Sequence, residues 1–160
     1  MSLIKRKRFM NQFYLVVDLI KERLQQNPNC NTVVFGRTED KDLYKKSIYP
    51  LAHINPVSAP MGSSQVSSFT FEIACLDQRD ISKAPVLDKF DGNDNIQDNL
   101  NITFTILNDL VTWLRLQNNS DMIELTSVTD AQPIIFREHN LLDGWFISLT
   151  LQIKNNQSVC

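Results

Sequence analysis

The sequence has few of the residues on which common catalytic motifs depend. Its 160 residues include four glycines, three cysteines and two histidines. It contains no phosphate-binding P-loop, dinucleotide-binding fingerprint, nucleophile elbow or zinc-protease motif. These absences argue against the enzyme classes that use such motifs. We therefore expect a protein that is not an enzyme, with no cofactor and no metal ligands.

The cysteines do not form a pattern typical of disulfides or zinc. Cys30, Cys75 and Cys160 are an odd number without close spacing. A disulfide framework needs pairs, and a structural zinc site needs clustered ligands. The pattern predicts reduced thiols in a cytosolic setting. No apolar run approaches the ~20 residues of a membrane-spanning helix, so no membrane partner is expected.

The two histidines lack nearby ligands at metal-binding spacing. His53 falls in a predicted strand and His139 in a predicted turn that also contains Asp143. A catalytic pair of His139 with Asp143 stays open as the less favoured alternative to a surface turn. Asp143-Gly144 itself is typical of a turn, because glycine permits positive φ and aspartate bonds to nearby backbone.

Charge is distributed unevenly along the chain. Lys5, Arg6, Lys7 and Arg8 form a cationic cluster, and the other residues carry 12 basic and 18 acidic side chains, a net charge of −6. The body is therefore acidic, which argues against a nucleic-acid-binding face on it. Residues 1–8 are predicted to be a basic arm that contacts phosphate, lipid headgroups or an acidic protein surface, or that is simply a solvated tail.

The clearest secondary-structure signal lies near the end of the sequence. From Trp145 to Ile153 every odd position is apolar and most even positions are polar. This period of two predicts a strand with one face against a core. We expect a long strand at the centre of the sheet.

Asn95–Gln117 fits two patterns. Residues 100–106 alternate as in a strand, yet Ile96, Leu100, Phe104 and Leu107 also share one face of a helix that would continue through Val111 and Leu114. The length of the pattern favours the helix, capped by Asn93 or Asp94.

The other elements follow from the same periodicities. The predicted order is a helix (Phe9–Gln26), three strands (Thr32–Phe35, Ile48–Asn55, Ser67–Asp77), a helix (Asn95–Gln117) and three strands (Met122–Val128, Pro133–Phe136, Gly144–Ile153). This order predicts one α+β domain over residues 9–155, with a mainly antiparallel sheet packed by two main helices on one side. Residues 156–160 are predicted to be a C-terminal tail.

Two long loops interrupt the predicted domain, at about residues 56–66 and 78–95. The second loop contains Asp88, Asp91 and Asp94. Residues 91–95 partly imitate a calcium loop, but the glycine and glutamate that such a loop requires are replaced by Ile96 and Ile102. A solvated loop is the favoured interpretation, and loops of this length are frequently functional.

Three stretches carry a resemblance to a known family. They are Tyr49–Pro56, Pro133–Phe136 and Leu142–Trp145 followed by the alternating strand. With the order of elements, they resemble the tail-terminator, tail-completion and neck-ring connector proteins of tailed bacteriophages, over roughly Phe9–Asn155. The long acidic loop and the cationic arm depart from that family.

The resemblance implies a structural role in the virion, which is assembled in the host cytoplasm. It implies a closed ring of identical subunits, six- or twelve-fold, that contacts portal, neck or tail proteins while DNA passes through its lumen unread. The candidate partner contacts are the charged residues of the arm and of the long loop: Lys5, Arg6, Lys7, Arg8, Asp88, Asp91 and Asp94. A small nucleic-acid-binding module or another assembly adaptor stays open as the alternative.

Overall fold

The computed structural model describes residues 12–36, 48–62, 66–80, 95–117, 123–135 and 141–154. Within those ranges the chain forms two helices and six strands, which confirms the α+β class. The helices are α1 (Gln12–Gln26) and α2 (Ile96–Gln117). The strands are β1 (Thr32–Phe35), β2 (Leu51–Ser58), β3 (Val66–Gln78), β4 (Ile123–Val128), β5 (Gln132–Ile135) and β6 (Leu142–Lys154).

The strands form one mixed sheet in the spatial order β1-β2-β3-β6-β4, with β5 also paired to β6. β1 runs parallel to β2, whereas the other pairs of the described sheet are antiparallel. The prediction of a mainly antiparallel sheet is thus only partly met. A parallel pair needs a longer connection than a hairpin, and 15 residues separate Phe35 from Leu51 in the sequence.

The predicted grouping of strands in threes is also only partly matched. β3 pairs with β6 along the whole of Leu142–Lys154, so one edge of β6 is fully occupied. β4 and β5 therefore share the opposite edge of β6, one after the other. Between them Thr129 continues the bonding, because its amide donates to the Ser148 carbonyl (2.9 Å) and its hydroxyl accepts from the Ser148 amide (2.9 Å). The prediction that the last strand is central is confirmed.

Both helices pack on one face of the sheet, and the main core lies between the helices and that face. The strand residues of this face alternate along each strand, as the period of two predicts. Burying these side chains is the dominant favourable term in folding. The buried members from β2, β3, β4 and β6 are Ala52, Ile54, Phe71, Ile73, Cys75, Leu125, Ile147, Leu149 and Leu151.

The buried face of α2 only partly matches the predicted one, since Leu107 and Leu114 are buried as predicted. The helix itself is confirmed, but Phe104 is 46% exposed, whereas Asn99 and Thr103 are buried. The polar pair is buried because its polar groups are bonded: the Thr103 hydroxyl donates to the Asn99 carbonyl at 2.6 Å, and the Asn99 amide donates to the Gln78 carbonyl at 3.1 Å. A satisfied polar group is buried at little cost.

Two sequence predictions about the strand ends are wrong. Asp143 and Gly144 lie inside β6, where they pair with both β3 and β5, and do not form a turn. β2 begins directly after Pro50 and extends to Ser58, so the loop predicted from residue 56 starts later. Pro56 is tolerated there because β1 pairs with β2 only as far as Ile54, so that β2 is an edge beyond that point among the described strands.

Candidate functional site

The charged residues predicted from the sequence as partner contacts cannot be placed in the fold. All of them lie outside the described residues, as do the alternative helix caps Asn93 and Asp94. The candidate partner contacts are Lys5, Arg6, Lys7, Arg8, Asp88, Asp91 and Asp94. The domain bounds at residues 8–9 and 155–156 likewise fall outside the described part, so the predictions about the arm and the tail stay predictions.

Only one of the two histidines, His53, lies within the described residues. His53 is 2% exposed in β2, on the sheet face opposite the helices. Burial lowers the pKa of His53, although a backbone hydrogen bond with Gly36 and the charge of Glu72 oppose that shift. His139 lies outside the described residues. In the described ranges, no three metal-binding side chains are grouped closely enough to hold a metal ion.

Asp143 belongs to a buried ion pair that the sequence did not reveal. Arg79 donates from Nε to Asp143 Oδ2 at 3.0 Å and from Nη2 to Oδ1 at 2.5 Å. The Asp143 side chain is 0% exposed and that of Arg79 is 11% exposed. Two parallel bonds of this kind are the strongest form of carboxylate recognition by arginine.

The side-chain amides of Asn99 in α2 and of Asn95 just before it extend this pair into a network. Asn99 Nδ2 lies 3.4 Å from Asp143 Oδ2, and Asn95 Nδ2 lies 3.2 Å from Asn99 Oδ1. Asn95 Oδ1 also accepts from the Asp80 amide at 2.7 Å. Because these groups bond to one another, the network joins the start of α2 to the end of β3 and the start of β6. These hydrogen bonds and the ion pair hold the three elements together.

Asp77 lies beside this network in β3, directly opposite Asp143 in β6. Burial raises the pKa of Asp77, the Gln78 amide that donates to it at 2.8 Å opposes the shift, and the charge of Asp143 adds to it. The ionised form of Asp77 therefore opposes folding at neutral pH.

An aromatic cluster occupies the corner of the sheet next to β1. The Phe13 ring of α1 lies 6.3 Å from Phe35, 5.5 Å from Phe69 and 5.9 Å from Phe71. Phe71 is fully buried, but Phe13 is 37% and Phe35 49% exposed. We call Phe13, Phe35 and Phe69 the aromatic corner. It presents apolar surface at the outer edge of β1.

A second apolar cluster lies at the opposite edge of the sheet. The Phe104 ring of α2 packs edge-on against Trp145 of β6, 5.8 Å away, and the Trp145 indole donates to the Leu100 carbonyl at 2.9 Å. Pro133 of β5 is the register partner of Trp145. Phe104 and Ile135 are 46% and 47% exposed, and Pro133 is also exposed. We call Phe104, Pro133, Ile135 and Trp145 the tryptophan corner.

The sequence pointed to these corners only indirectly. It assigned Trp145 to the core face of a strand and Phe104 to the apolar face of a helix. Phe13 lies in the first turn of its helix and Phe35 is the last residue of its strand. Apolar residues at the ends of elements have fewer covering neighbours, and that signal could have identified Phe13 and Phe35. Phe104 lies in the interior of α2, where this signal is absent.

The sheet face opposite the helices changes from apolar to polar along the strands. Near the start of β2 it buries apolar residues, including Leu51 and Leu76. Farther along, it carries hydroxyl groups such as those of Thr70 and Thr150, which are 2.9 Å apart. The charged side chains on this face, within the described strands, are Glu72, Glu124 and Lys154. A face with that charge balance is unsuited to binding phosphate backbones.

Comparison with known protein families and with curated protein sequences finds no match. Among the helices that the structure describes, none is long and apolar enough to cross a membrane.

Proposed function

We propose that this chain is a non-enzymatic structural subunit of a tailed-bacteriophage virion. It assembles into a closed ring at the head–tail junction, in the position of a tail-completion, tail-terminator or neck protein. Its partners are further copies of itself, in six- or twelve-fold symmetry, and the adjoining portal, neck or tail proteins. DNA passes through the lumen of the ring.

The observation that carries this proposal is the pair of apolar corners at opposite edges of one sheet. A ring of identical subunits needs a heterologous interface, in which one patch of each subunit meets a different patch of the next. The aromatic corner at β1 and the tryptophan corner at β5 are two such patches, and they differ in composition. A symmetric dimer requires only one self-complementary patch.

The positions of the resembling stretches also support the proposal. Tyr49–Pro56 includes most of β2, Leu142–Trp145 begins β6, and Pro133–Ile135 lies in β5. In the register of the sheet, Cys75 of β3 is the partner of both Ala52 and Trp145. The three stretches therefore converge on one end of the sheet, although they are far apart in the sequence.

The decisive experiment is complementation of a phage that lacks this protein. We expect such a phage to accumulate DNA-filled heads and separate tails, and addition of the purified full chain to the lysate to restore joined, infectious particles. Electron microscopy of the purified chain, alone and with its head or tail partners, should show rings. Normal joining without the protein would refute the proposed function.

The same preparations test the alternative of a nucleic-acid-binding module. Such a module binds duplex DNA with an affinity that falls steeply as salt rises. We expect no binding of that kind at physiological salt. Tight, salt-dependent binding by a chain that never forms larger assemblies would favour the alternative.

A further inference from the structure

The two outer edges of the described sheet differ in how well they could accept another strand. The β4 part of one edge has an irregular register between Leu125 and Ser127 and an exposed Glu124, two features that discourage strand addition. β1, at the other edge, has a regular register and no charged residue. β5 is the remaining regular stretch beside β4, and Pro133 lies within it. Protection of that stretch therefore depends on Pro133.

The outward backbone groups of β1 belong to Val33 and Phe35. The amides of Thr32 and Gly36 donate to carbonyls of the neighbouring β2 strand, at 3.4 Å and 3.1 Å. Because successive residues of a strand alternate in direction, the amides and carbonyls of Val33 and Phe35 point away from β2. Among the described strands, none lies beyond β1. β1 thus offers two donors and two acceptors to a further strand.

Pro133 is a residue of β5 whose backbone faces outward. It pairs with Trp145 of β6 in an antiparallel ladder, in which hydrogen-bonded pairs alternate with pairs that exchange no hydrogen bonds. Because proline has no amide hydrogen, Pro133 and Trp145 form a pair of the second kind, and the Pro133 carbonyl points away from β6. At residue 133 the outer edge of β5 therefore presents an acceptor without a donor.

The register of the sheet places Pro133 in the same row as Val33. By successive register partners, that row is Val33, Ala52, Cys75, Trp145 and Pro133. β1 runs opposite to β5, because the first step in the row is parallel and the other three are antiparallel. A second copy in the same orientation, without a shift along the strands, would bring its β1 antiparallel to β5, with Val33 opposite Pro133.

The missing donor makes that contact unfavourable. The Val33 amide could donate to the Pro133 carbonyl, but the Val33 carbonyl would be covered by the second copy without receiving a bond. A buried acceptor left without a donor costs more than an ordinary hydrogen bond contributes. Apolar attraction acts in the opposite sense, because Phe35 and Ile135 are 49% and 47% exposed at the two edges. With a donor at residue 133, both edges would favour continuation of the sheet.

We propose that Pro133 prevents β1 of one copy from adding to β5 of another, and so stops open-ended growth of the sheet. A head-to-tail contact that repeats without closing produces a filament. Proline, charge and irregular register are means by which natural sheets avoid such addition. The inference goes beyond the proposed ring and does not depend on it, since contact between the two apolar corners needs no strand pairing.

Restoring the donor tests this role. Pro133→Thr supplies the outward amide with a residue that favours strands. The variant should form filaments at concentrations at least ~10-fold below any at which the wild-type chain forms them. Gln132→Thr is the matched control, because the amide of residue 132 already bonds to β6 and the outer edge is unchanged. Sedimentation velocity and negative-stain electron microscopy of the full chains measure the assembly.

A second substitution identifies the strand that adds. Phe35→Lys places a charge at the outer edge of β1, where a charge discourages strand addition. Combined with Pro133→Thr, it should abolish the filaments and return assembly to the wild-type level. Circular dichroism of dilute samples checks that each variant folds.

The outcomes separate this role from the proposed function. If Pro133→Thr assembles no more readily than Gln132→Thr, the proline does not protect the edge and the inference is wrong. Filaments or aggregates that persist in the chain with both substitutions would show that β1 is not the added strand, which also overturns it. Normal joining of phage heads and tails without this protein would refute the proposed function and leave these measurements unaffected.

Discussion

Gly144 should be among the positions least tolerant of substitution, although its backbone conformation is ordinary. A Cβ at residue 144 would overlap the carbonyl oxygen of Cys75 in β3, and would lie 2.8 Å from the carbonyl carbon of Cys75 and 3.0 Å from Cα of Leu76. All three are backbone atoms. β3 cannot move away freely, because Leu76 is also paired with Leu51 on its other side.

These contacts fix the sign and the size of the effect of Gly144→Ala. Replacing glycine by alanine normally stabilises by about 0.4–1 kcal/mol where the backbone and the space allow it. Overpacking costs about 1–3 kcal/mol or more, and rigid obstructing atoms place this site at the upper end, about 3 kcal/mol. With a urea m-value of about 2 kcal/mol per molar, the unfolding midpoint should fall by about 1.5 M.

Urea titration followed by tryptophan fluorescence measures this change, with Gly62→Ala as the control. Gly62 has no atom within 4 Å of an added Cβ, but its φ is +85°. Only the left-handed backbone opposes alanine there, at a cost of about 1–2 kcal/mol. A Gly144→Ala chain within 0.5 kcal/mol of wild type, or more stable than Gly62→Ala, would refute the reasoning.

Three further predictions concern the polar groups near the start of β6. Asp143→Asn should lower the free energy of unfolding by about 3–5 kcal/mol, because Arg79 stays largely buried without its counter-charge. Joint replacement of Asp143 by Leu and of Arg79 by Met should cost far less, and equal losses in urea titrations would contradict this. Asp77→Asn should raise the unfolding midpoint at pH 7 and lose that effect near pH 3. Burial raises the folded-state pKa of Asp77 above the unfolded value, so its favourable contribution exists at low pH and is lost as pH rises through the folded pKa; a gain confined to acid would show the sign to be wrong. Trp145→Phe should cost about 1 kcal/mol in thermal unfolding, since the Leu100 carbonyl loses the indole donor at 2.9 Å and keeps the longer bond from the Thr103 hydroxyl at 3.3 Å; an unchanged melting temperature would contradict this.

Much of the fold follows from periodicity in the sequence. The alternation after Trp145 predicted a long central strand, and β6 extends over Leu142–Lys154. The length of the apolar pattern before Gln117 correctly favoured a helix over a strand. These predictions succeeded because a single buried face determines which positions must be apolar.

The parts that could not be predicted depend on partners distant in the sequence. Nothing near Asp143 shows that Arg79 will neutralise it, so Asp143-Gly144 had the appearance of a turn. Asn99 is buried only because the Gln78 carbonyl and Asp143 lie beside it. Parallel pairing of β1 with β2 likewise has no local signal, since the same short apolar strand fits either direction.

The two apolar corners illustrate the same limit. Phe13 and Phe104 look like core residues in the sequence because each lies on the apolar side of a helix. Whether such a residue is covered depends on where the helix ends relative to the sheet, which periodicity does not specify. Their exposure emerges only when both helices are placed on the strands.

The central position of β6 has a consequence for how the chain folds during synthesis. The strand that separates β3 from β4 and β5 is the last described element to leave the ribosome, and Phe71 must await its partner Leu149. Until then, the earlier strands have unsatisfied backbone groups along the edges that β6 will fill. Such a nascent chain depends on late, long-range closure, which is slow, and it is vulnerable to misassociation until its final strand inserts.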